Sequence, residues 1–508
     1  MDLSERGHSS RKAVAARATI LGLAALGLYA FRIGSAPIYL KYEELYFALE
    51  AHAVATTGHD THGRLLPIYF QVFADSWYQP VLVYLMAAFL TVLPLSEFVV
   101  RLPSAVVGSI DVILMYFIGR LLFARERFAF IAALLLMFTP AHFIESRVAM
   151  DYLYPVPFTM AWLLCLIIFV QRHKLWHLFL ATLCLGIGFF SYAAALALMP
   201  MYLLMTILMV SVMHDDRMKR IGTAAAGFLL PIAASVPFLV QHPEYLAAQL
   251  GRYGPQARTA LDPLQKLSEV FNYANFSSRV DLYFEFFSPG YLFLTGGSNP
   301  VDSTRRAGVF LMPLTLFLAV GIVQAVRKRS APGVLVLLGF VTAPIAALSM
   351  LEGRAIDRET VLLPFGVLLS VVGVEWLWSA PFDYSLKRAV GMLATLSTCG
   401  IILYAAWRLA SGSTFPPSVV PLLVVFLLVY ITAAWSERTK RLRPVAATLL
   451  GACALQFIFF WTDYLGDYRI RTANHFGGNI RGALEEIIAQ QSRGGANTCL
   501  LEHDSWTH

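Results

Sequence analysis

The sequence predicts an all-helical protein that crosses a membrane many times. Of its 508 residues, 58% are apolar and 14% are charged, whereas about 25% of the residues of a soluble globular protein are charged. The apolar residues form long blocks, many of which approach the ~20 residues that span a bilayer. A soluble fold would divide them into alternating or amphipathic patterns. Composition and block length therefore indicate a polytopic integral membrane protein.

The basic residues indicate the topology of these blocks. The net charge is +7, and the Lys and Arg residues cluster in short loops between apolar blocks, as they do in cytoplasmic loops. Arg6, Arg11, Lys12 and Arg17 precede the first block, so we expect a cytoplasmic N-terminus and no nucleic-acid partner. The five cysteines show no CxxC spacing, so neither a disulfide framework nor a zinc site is indicated.

About 13 spans follow from the apolar blocks and the positive-inside rule. The apolar run 80–94 is left out of this count, because a span there would place the later basic loops on the outer face. The run is also short for a span, and we interpret it as an interfacial or re-entrant helix. The predicted spans begin near residues 18, 103, 128, 152, 175, 192, 221, 308, 333, 361, 389, 418 and 445.

The odd number of spans places the longest polar segments on the outer face. These segments are a first outer loop, 37–102, a second outer loop, 241–307, and the C-terminal stretch 464–508. We therefore predict a membrane-embedded module over residues 1–463, followed by an extracytoplasmic segment. The inner loops are short and basic, so we expect the protein to act on the outer face. The compact loops favour a bacterial inner-membrane protein with a periplasmic site and C-terminus.

The first outer loop opens on an acidic, amphipathic segment. Glu43 and Glu44 stand where a helix would begin, and a helix dipole favours carboxylates at that end. They are candidate catalytic acids, and the alternative is that they only solvate the start of a helix. The helix is predicted to lie in the membrane interface, because one stripe at helical spacing is apolar and aromatic: Tyr42, Leu45, Tyr46, Leu49 and Ala53.

A candidate metal site follows in the same loop. Asp60 lies between His59 and His62, and imidazole and carboxylate groups are usual metal ligands. The His-x-x-His spacing is loose, however, and Gly58 and Gly63 mark a turn. We favour a solvated turn here, and we assign no metal ligand and no cofactor to the chain, with a divalent metal as the alternative.

Two further pairs of charged residues lie at outer ends of predicted spans. Arg147 and Asp151 are four residues apart and would pair on a helix, near a membrane boundary where ionisable groups are costly and usually functional. A structural ion pair is the alternative. Arg354 and Arg358 are also one helical turn apart. Two arginines suit a phosphate, which Arg holds bidentately, and contact with lipid headgroups is the alternative.

Taken in order, these fragments resemble the membrane glycosyltransferases of the GT-C superfold. The resemblance is to family 39 and its relatives, the protein O-mannosyltransferases and the lipid A aminoarabinose transferases. It covers most of the chain and is strongest over residues 39–160. Five short motifs carry it: Tyr42-Glu43-Glu44; Thr57, Gly58, Asp60 and Gly63; Trp77, Tyr78, Pro80 and Tyr84; Glu97, Arg101, Leu102, Pro103 and Ser104; and Ser146, Arg147 and Asp151.

The resemblance implies an inverting glycosyltransferase of GT-C type that moves a sugar from a polyprenyl-phosphate donor to an acceptor glycan, lipid or protein. By position Glu43 is the general base, or Glu44 in a shifted register, and Asp151 orients the acceptor or shares the acid role. The candidates for contact with the donor phosphate are Arg147, Arg354 and Arg358. The remaining substrate-binding candidates are Lys41, Asp60, Tyr78 and Gln79.

Two departures from the family pattern affect this interpretation. The usual base is Asp, and this chain has Glu43, whose extra methylene moves the carboxyl group by about 1 Å. The Glu-Lys pair that precedes Pro-Pro in aminoarabinose transferases is Tyr78-Gln79 here, which removes a carboxylate metal ligand and a phosphate-binding Lys. The sequence therefore argues against a bound metal and against lipid A as the acceptor.

Other functions are compatible with the same spans. A transporter or flippase of lipid-linked sugars would show repeats with broken helices near the midplane, and the apolar blocks here are mostly uninterrupted by charge. A polysaccharide or oligosaccharide ligase would perform the same class of reaction with a larger donor. The Trp-Trp-Asp-Tyr-Gly signature of oligosaccharyltransferases does not occur. A catalytically inactive scaffold is the last alternative.

Overall fold

The computed structural model is helical apart from one short hairpin within the residues that it describes. These are 11–73, 76–213, 216–243, 245, 273–349, 353–381 and 441–478, with eight single positions beyond them: Thr432, Trp435, Ser436, Gly482, Glu485, Glu486, Ile488 and Ala489. The predicted spans near 389 and 418, much of the second outer loop and most of the C-terminal segment lie outside the described residues.

The main elements of the described chain are α1 to α16 and one hairpin, and a single helical turn, Arg469–Arg471, follows α16. The helices are α1 (Arg11–Ala30), α2 (Tyr42–Thr57), α3 (Pro80–Leu90), α4 (Glu97–Leu122), α5 (Glu126–Met137), α6 (Pro140–Glu145), α7 (Pro155–Arg172), α8 (Leu175–Gly188), α9 (Ala195–Ser211), α10 (Arg217–Ala233), α11 (Val236–Gln241), α12 (Tyr273–Glu285), α13 (Leu314–Lys328), α14 (Ala331–Thr342), α15 (Leu362–Ser379) and α16 (Arg443–Asp463). Short 3₁₀ turns cover Asp151–Leu153 and Ile356–Arg358.

Several of these helices have the dimensions of membrane spans. Among the described residues, five helical stretches are long and apolar enough to cross a bilayer: Arg11–Ala30, Glu97–Leu122, Asp151–Arg172, Leu362–Ser379 and Arg443–Arg471. Every predicted span that falls in the described ranges overlaps a helix. A mostly helical membrane fold is therefore confirmed, and the number of 13 spans stays a prediction.

Small residues allow neighbouring helices to approach closely. A Cβ atom on Gly321 of α13 would lie 1.8 Å from the carbonyl oxygen of Leu369 in α15. A Cβ on Gly373 of α15 would lie 2.0 Å from the carbonyl oxygen of Phe317 in α13. Close backbone contact at small residues is the usual way in which helices associate in a bilayer. Gly321→Ala or Gly373→Ala would therefore force α13 and α15 apart.

The first outer loop is more ordered than the sequence predicts. The segment predicted to be an interfacial helix forms α2, which is capped by Gly58 in the left-handed region (φ 74°). A two-stranded antiparallel hairpin follows, with β1 (Phe70–Phe73) paired to β2 (Ser76–Tyr78). The apolar run after it forms α3, whose 11 residues are about half of the length needed to span a bilayer. The sequence analysis predicts no strand at this hairpin.

Candidate active site

A polar cavity of about 390 Å³ lies where four segments of the chain meet. Each segment was assigned to the outer face from the charge pattern: the first outer loop, the end of the third predicted span, the second outer loop and the loop before α15. The lining residues are Lys41, Glu43, Tyr152, Gly297, Ser298, Asn299, Asp302, Gly353, Arg354, Ala355, Ile356, Asp357 and Arg358. The fold therefore gathers residues that are more than 300 positions apart into one site.

Glu43 and Lys41 form the part of the cavity that α2 contributes. Lys41 Nζ lies 3.5 Å from Glu43 Oε1 and donates a hydrogen bond of 3.3 Å to the hydroxyl of Tyr152. Burial acts to lower the pKa of Lys41, but the nearby carboxylates of Asp302, Glu43 and Asp357 outweigh it and raise that pKa. The ammonium group therefore stays charged beside Glu43, whose side chain is 32% exposed.

Arg354 and Arg358 supply the cations of the opposite chain segment. Arg354 Nε lies 3.4 Å from Glu285 Oε1, and the Arg354 side chain is 43% exposed. Arg358 Nε lies 3.2 Å from Asp357 Oδ2, and its guanidinium also donates to the hydroxyl of Tyr192. The 3₁₀ turn Ile356–Arg358 replaces the helical turn that their spacing suggested, and both side chains still line the cavity.

Asp302 is a lining residue that no sequence motif identified. Its Oδ2 accepts a 2.8 Å hydrogen bond from Asn299 Nδ2. Its Oδ1 is buried and has no hydrogen-bond partner within the described part of the chain. Burial, together with the charge of Asp357, raises the pKa of Asp302 to about 7. The nearby sequence contains the glycine pair 296–297, which is typical of a turn, and turn residues alone do not indicate a site.

Asp151 is buried directly behind the cavity wall. It precedes Tyr152, which lines the cavity, and it interacts electrostatically with Arg358, Glu43 and Lys41. It starts a 3₁₀ turn, and the chain is not helical between the end of α6 at Glu145 and Asp151. The helical pairing predicted for Arg147 and Asp151 is therefore wrong, because the chain turns between them.

Arg147 and Glu44 lie outside the cavity, in a closed cluster that we define as Arg101, Glu44 and Arg147. Arg147 donates to the carbonyl oxygens of Tyr29, Phe31 and Ala36 at 2.6, 2.8 and 2.8 Å. Arg101 donates to both oxygens of Glu44, at 2.9 and 3.0 Å. All three side chains are buried, so the contacts of Arg147 are to protein rather than to the cavity.

Glu44 has its hydrogen-bonding capacity filled by the protein. Besides the two bonds from Arg101, it accepts bonds of 2.7 Å from the backbone N–H groups of Ala149 and Lys41. These bonds join the start of α2 to the turn that leads to Asp151. Glu44 therefore positions Lys41 and its neighbour Glu43, and it does not face the cavity.

Asp60, Tyr78 and Gln79 also lie away from the cavity. Asp60 pairs with Arg64 at 2.6 Å and accepts a 3.0 Å bond from the backbone N–H of His62, which makes it part of the turn. The ring of Tyr78 contacts Phe47, with centroids 4.8 Å apart. Gln79 Nε2 donates to the hydroxyl of Tyr245 at 3.3 Å. No group of three His, Cys, Asp or Glu residues in the described ranges has the arrangement of a metal site.

The helical bundle with its polar cavity is similar to known proteins. Residues 78–240 match the family model for dolichyl-phosphate-mannose-protein mannosyltransferase. Among solved structures, the chain is similar to ArnT from Cupriavidus metallidurans in the apo state, with a TM-score of 0.56 and 14% identity. That match covers 90% of this chain and 78% of ArnT. The resemblance to GT-C glycosyltransferases is therefore confirmed for the fold.

Two further structures are similar to this chain. ArnT from Cupriavidus metallidurans bound to undecaprenyl phosphate matches with a TM-score of 0.53 and 14% identity, covering 90% of this chain and 77% of that one. The other is the archaeal oligosaccharyltransferase AglB from Archaeoglobus fulgidus in complex with an inhibitory peptide and a dolichol-phosphate. It has a TM-score of 0.48 and 14% identity, and the match covers 87% of this chain and 56% of AglB. Comparison with curated protein sequences gives no match.

Proposed function

We propose that this protein is an inverting glycosyltransferase that moves a sugar from a polyprenyl phosphate to an acceptor on the extracytoplasmic face. The observation that carries the proposal is the cavity, in which the carboxylate of Glu43 shares one space with Lys41, Arg354 and Arg358. Its volume of about 390 Å³ falls within the range of about 300–1,000 Å³ for small-molecule sites. The ArnT structure with undecaprenyl phosphate supports a lipid phosphate as the ligand of this fold.

The cations of the cavity are suited to the donor phosphate. A guanidinium presents planar, paired N–H donors that match phosphate oxygens, and Arg354 and Arg358 offer two such groups on one loop. Lys41 adds a compact charge beside Glu43. When the bond between the sugar and the phosphate oxygen breaks, negative charge builds on the leaving phosphate. Fixed cations stabilise that charge in the transition state.

Glu43 is the general base in this mechanism. It removes the proton from the acceptor hydroxyl, whose oxygen attacks the anomeric carbon from the face opposite the phosphate. The configuration at that carbon is inverted, and polyprenyl phosphate leaves. Proton transfer of this kind requires a carboxylate that reaches the substrate. Glu43 meets the requirement because it lines the cavity, whereas Glu44 is enclosed by Arg101 and two backbone donors.

Two buried acids are suited to orienting the acceptor. Asp302 lines the cavity with one carboxylate oxygen free of hydrogen bonds to the described residues. Asp151 lies next to Tyr152 and close to Arg358. We assign acceptor orientation to this pair, while Asp60, Tyr78, Gln79 and Arg147 support the surrounding structure.

Replacement of the base tests the proposed reaction. Glu43→Gln is expected to lower the release of undecaprenyl phosphate from a panel of undecaprenyl-phosphate sugars by about 10²–10⁴-fold, since it removes general-base catalysis. The assay uses purified protein with cell-envelope extract as the acceptor source and detects released lipid phosphate by mass spectrometry. Donor binding should persist, because the cations are unchanged.

The matched control for that test is Asp281→Asn. Asp281 is an exposed acid on α12 that does not line the cavity, so its loss should leave turnover unchanged. Equal turnover in wild type and Glu43→Gln would contradict the proposed base. Movement of the lipid across vesicles without any cleavage would instead assign the protein to the flippases.

The proposed orientation is open to direct measurement. In it the module 1–463 carries a cytoplasmic N-terminus and an outer cavity. A single Cys at Arg305, near the cavity, should react with a membrane-impermeant maleimide in intact cells, and one at Arg329, after α13, should react only after lysis. Both variants need a background without the native cysteines. Reaction at position 329 in intact cells would contradict the orientation.

A further inference from the structure

A second group of charged residues lies at the other end of the helix bundle. The start of α5, the end of α15 and the start of α16 meet around one indole ring, that of Trp378. The guanidinium carbon of Arg127 lies 4.8 Å from the centroid of this ring, and that of Arg443 lies 4.7 Å from it. We call Arg125, Arg127, Trp378 and Arg443 the basic pocket. The sequence predicts the cytoplasmic face for this end of the bundle.

Among the described residues, the charges of the basic pocket do not cancel. Arg125 and Arg443 both repel Arg127, and Glu375 is the attractive charge near it. Glu375 also accepts a 3.3 Å bond from the backbone N–H of Ala124. Nε and Nη2 of Arg127 are buried and have no hydrogen-bond partner among the described residues. Buried cationic donors without partners are costly, and a bound anion would remove that cost.

In a neighbouring cluster at the same end of the bundle, one carboxylate pairs with two arginines. Arg17 pairs with Glu126, and Arg120 Nε lies 3.8 Å from the other oxygen of the same carboxylate. Tyr116 donates to that carboxylate at 2.5 Å. Glu126 and Arg127 are adjacent in the sequence. Glu126 pairs with two arginines and a tyrosine, whereas two donor atoms of Arg127 have no hydrogen-bond partner among the described residues.

We propose that the basic pocket binds the phosphate of an anionic phospholipid headgroup. Guanidinium groups match phosphate oxygens in geometry and charge. Basic pockets between transmembrane helices on the cytoplasmic side bind headgroups of this kind, and Trp is the residue that favours the level of the headgroups. Arg443 is exposed and Trp378 is partly buried, so a headgroup has access while Arg127 forms the inner wall.

Lipid retention tests this site. Purified protein in nanodiscs of phosphatidylglycerol and phosphatidylcholine is released into the gas phase, and the lipid that stays bound is identified by native mass spectrometry. Wild type should retain phosphatidylglycerol over phosphatidylcholine. Arg127→Gln and Arg443→Gln should each reduce that retention by at least about fivefold, as expected for the loss of one Arg at an anionic lipid.

The control variant is Arg327→Gln, which removes an exposed arginine at the end of α13 on the same predicted face. It should retain the lipid as wild type does. An equal loss in Arg327→Gln, or equal retention of both lipids by wild type, would overturn the proposal, since either result describes general attraction to charge. Retention of added inorganic phosphate without phosphatidylglycerol would assign the pocket to a free anion and would also overturn it.

Thermal unfolding separates ligand loss from misfolding. Added phosphatidylglycerol should raise the melting temperature of wild type, because a ligand that binds only the folded state stabilises it. Arg127→Gln should melt at the wild-type temperature in phosphatidylcholine and gain nothing from phosphatidylglycerol. A gain equal to that of wild type would contradict the assignment of Arg127 to the site.

Discussion

Glu43 and Glu44 are adjacent in the chain and belong to two different environments, the open cavity and the closed cluster. Glu43 is 32% exposed and lies 3.5 Å from Lys41. Glu44 is fully buried and accepts bonds from Arg101, Ala149 and Lys41. A carboxylate whose acceptor sites are filled by the protein has no site left for a substrate proton. The difference teaches that the environment, and not the residue type, separates a candidate catalyst from a structural acid.

The arginines divide in the same way. Arg101 is fully buried, and apart from Glu44 it donates to the carbonyl oxygens of Ile33, Pro37 and Tyr39 at 3.1, 2.8 and 2.7 Å. These bonds fix the segment that leads into α2 and thereby the position of Glu43. Arg354 and Arg358 instead line the cavity. The closed cluster therefore builds the frame on which the open cavity depends.

The largest expected effect breaks the closed cluster. Glu44→Gln should lower the free energy of unfolding by about 3–5 kcal/mol, because it leaves the buried Arg101 guanidinium without its partner charge. Glu43→Gln, the matched change one residue away, should leave that free energy nearly unchanged. The measurement is unfolding of the purified protein in detergent. A stable but inactive Glu44→Gln would reverse the comparison and move the base to Glu44.

A smaller effect is expected from an arginine of the cavity. Arg358→Gln should reduce kcat/KM for an undecaprenyl-phosphate sugar by roughly 10- to 150-fold, the equivalent of about 1.5–3 kcal/mol for a charged hydrogen bond. The control is Arg306→Gln. Arg306 is half-exposed and pairs with Asp463 and Asp467 at 2.6 and 2.7 Å outside the cavity, and such pairs contribute about 1 kcal/mol or less. Equal losses of kcat/KM in both variants would show that the cavity arginine contributes no more to turnover than a surface arginine does.

The smallest effect concerns pH. Asp302 faces Asp357, Lys41, Glu43 and Arg358, and its pKa is raised to about 7. Below that pH it is neutral and repels the donor phosphate less, so KM for the donor should fall by roughly three- to tenfold from pH 8 to pH 6. The phosphodiester of the donor keeps its charge over this range. Asp302→Asn should have a low KM at both pH values.

The same pKa gives a stability prediction with a definite sign. The folded protein holds the Asp302 proton up to about pH 7, whereas an unfolded Asp releases it near pH 3.9. The free energy of unfolding should therefore fall as pH rises between these values. Asp302→Asn should make that slope shallower.

For the kinetic prediction, a wild-type KM that is constant from pH 6 to pH 8 would show that Asp302 does not act on the donor.

Much of the fold was readable from the sequence, because each span is a local property of hydropathy and length. The overlap of α4, α8, α14 and α16 with predicted spans follows from this. The hairpin of β1 and β2 escaped prediction, since its strands are short and their pairing depends on contacts that no local pattern records. The sequence also nominated Lys41, Glu43, Arg354 and Arg358, which the structure brings to one cavity, where their roles remain proposals.

Only the tertiary structure distinguished these residues from their neighbours in the chain. Charge and motif order nominated both Glu43 and Glu44 as candidate bases, and both Arg147 and Arg358 as phosphate contacts. They could not separate the members of each pair, because burial depends on packing between distant helices. That packing encloses Glu44 and Arg147 and brings Asp302 to the cavity. It also places Arg127 beside Trp378 with two donor atoms that have no hydrogen-bond partner among the described residues. The sequence by itself determined a helical membrane protein that resembles lipid-dependent glycosyltransferases. The fold decided which charged side chains line the cavity and which are enclosed, because hydrogen bonds between distant segments bury Glu44 and Arg147 and leave Glu43 at the cavity.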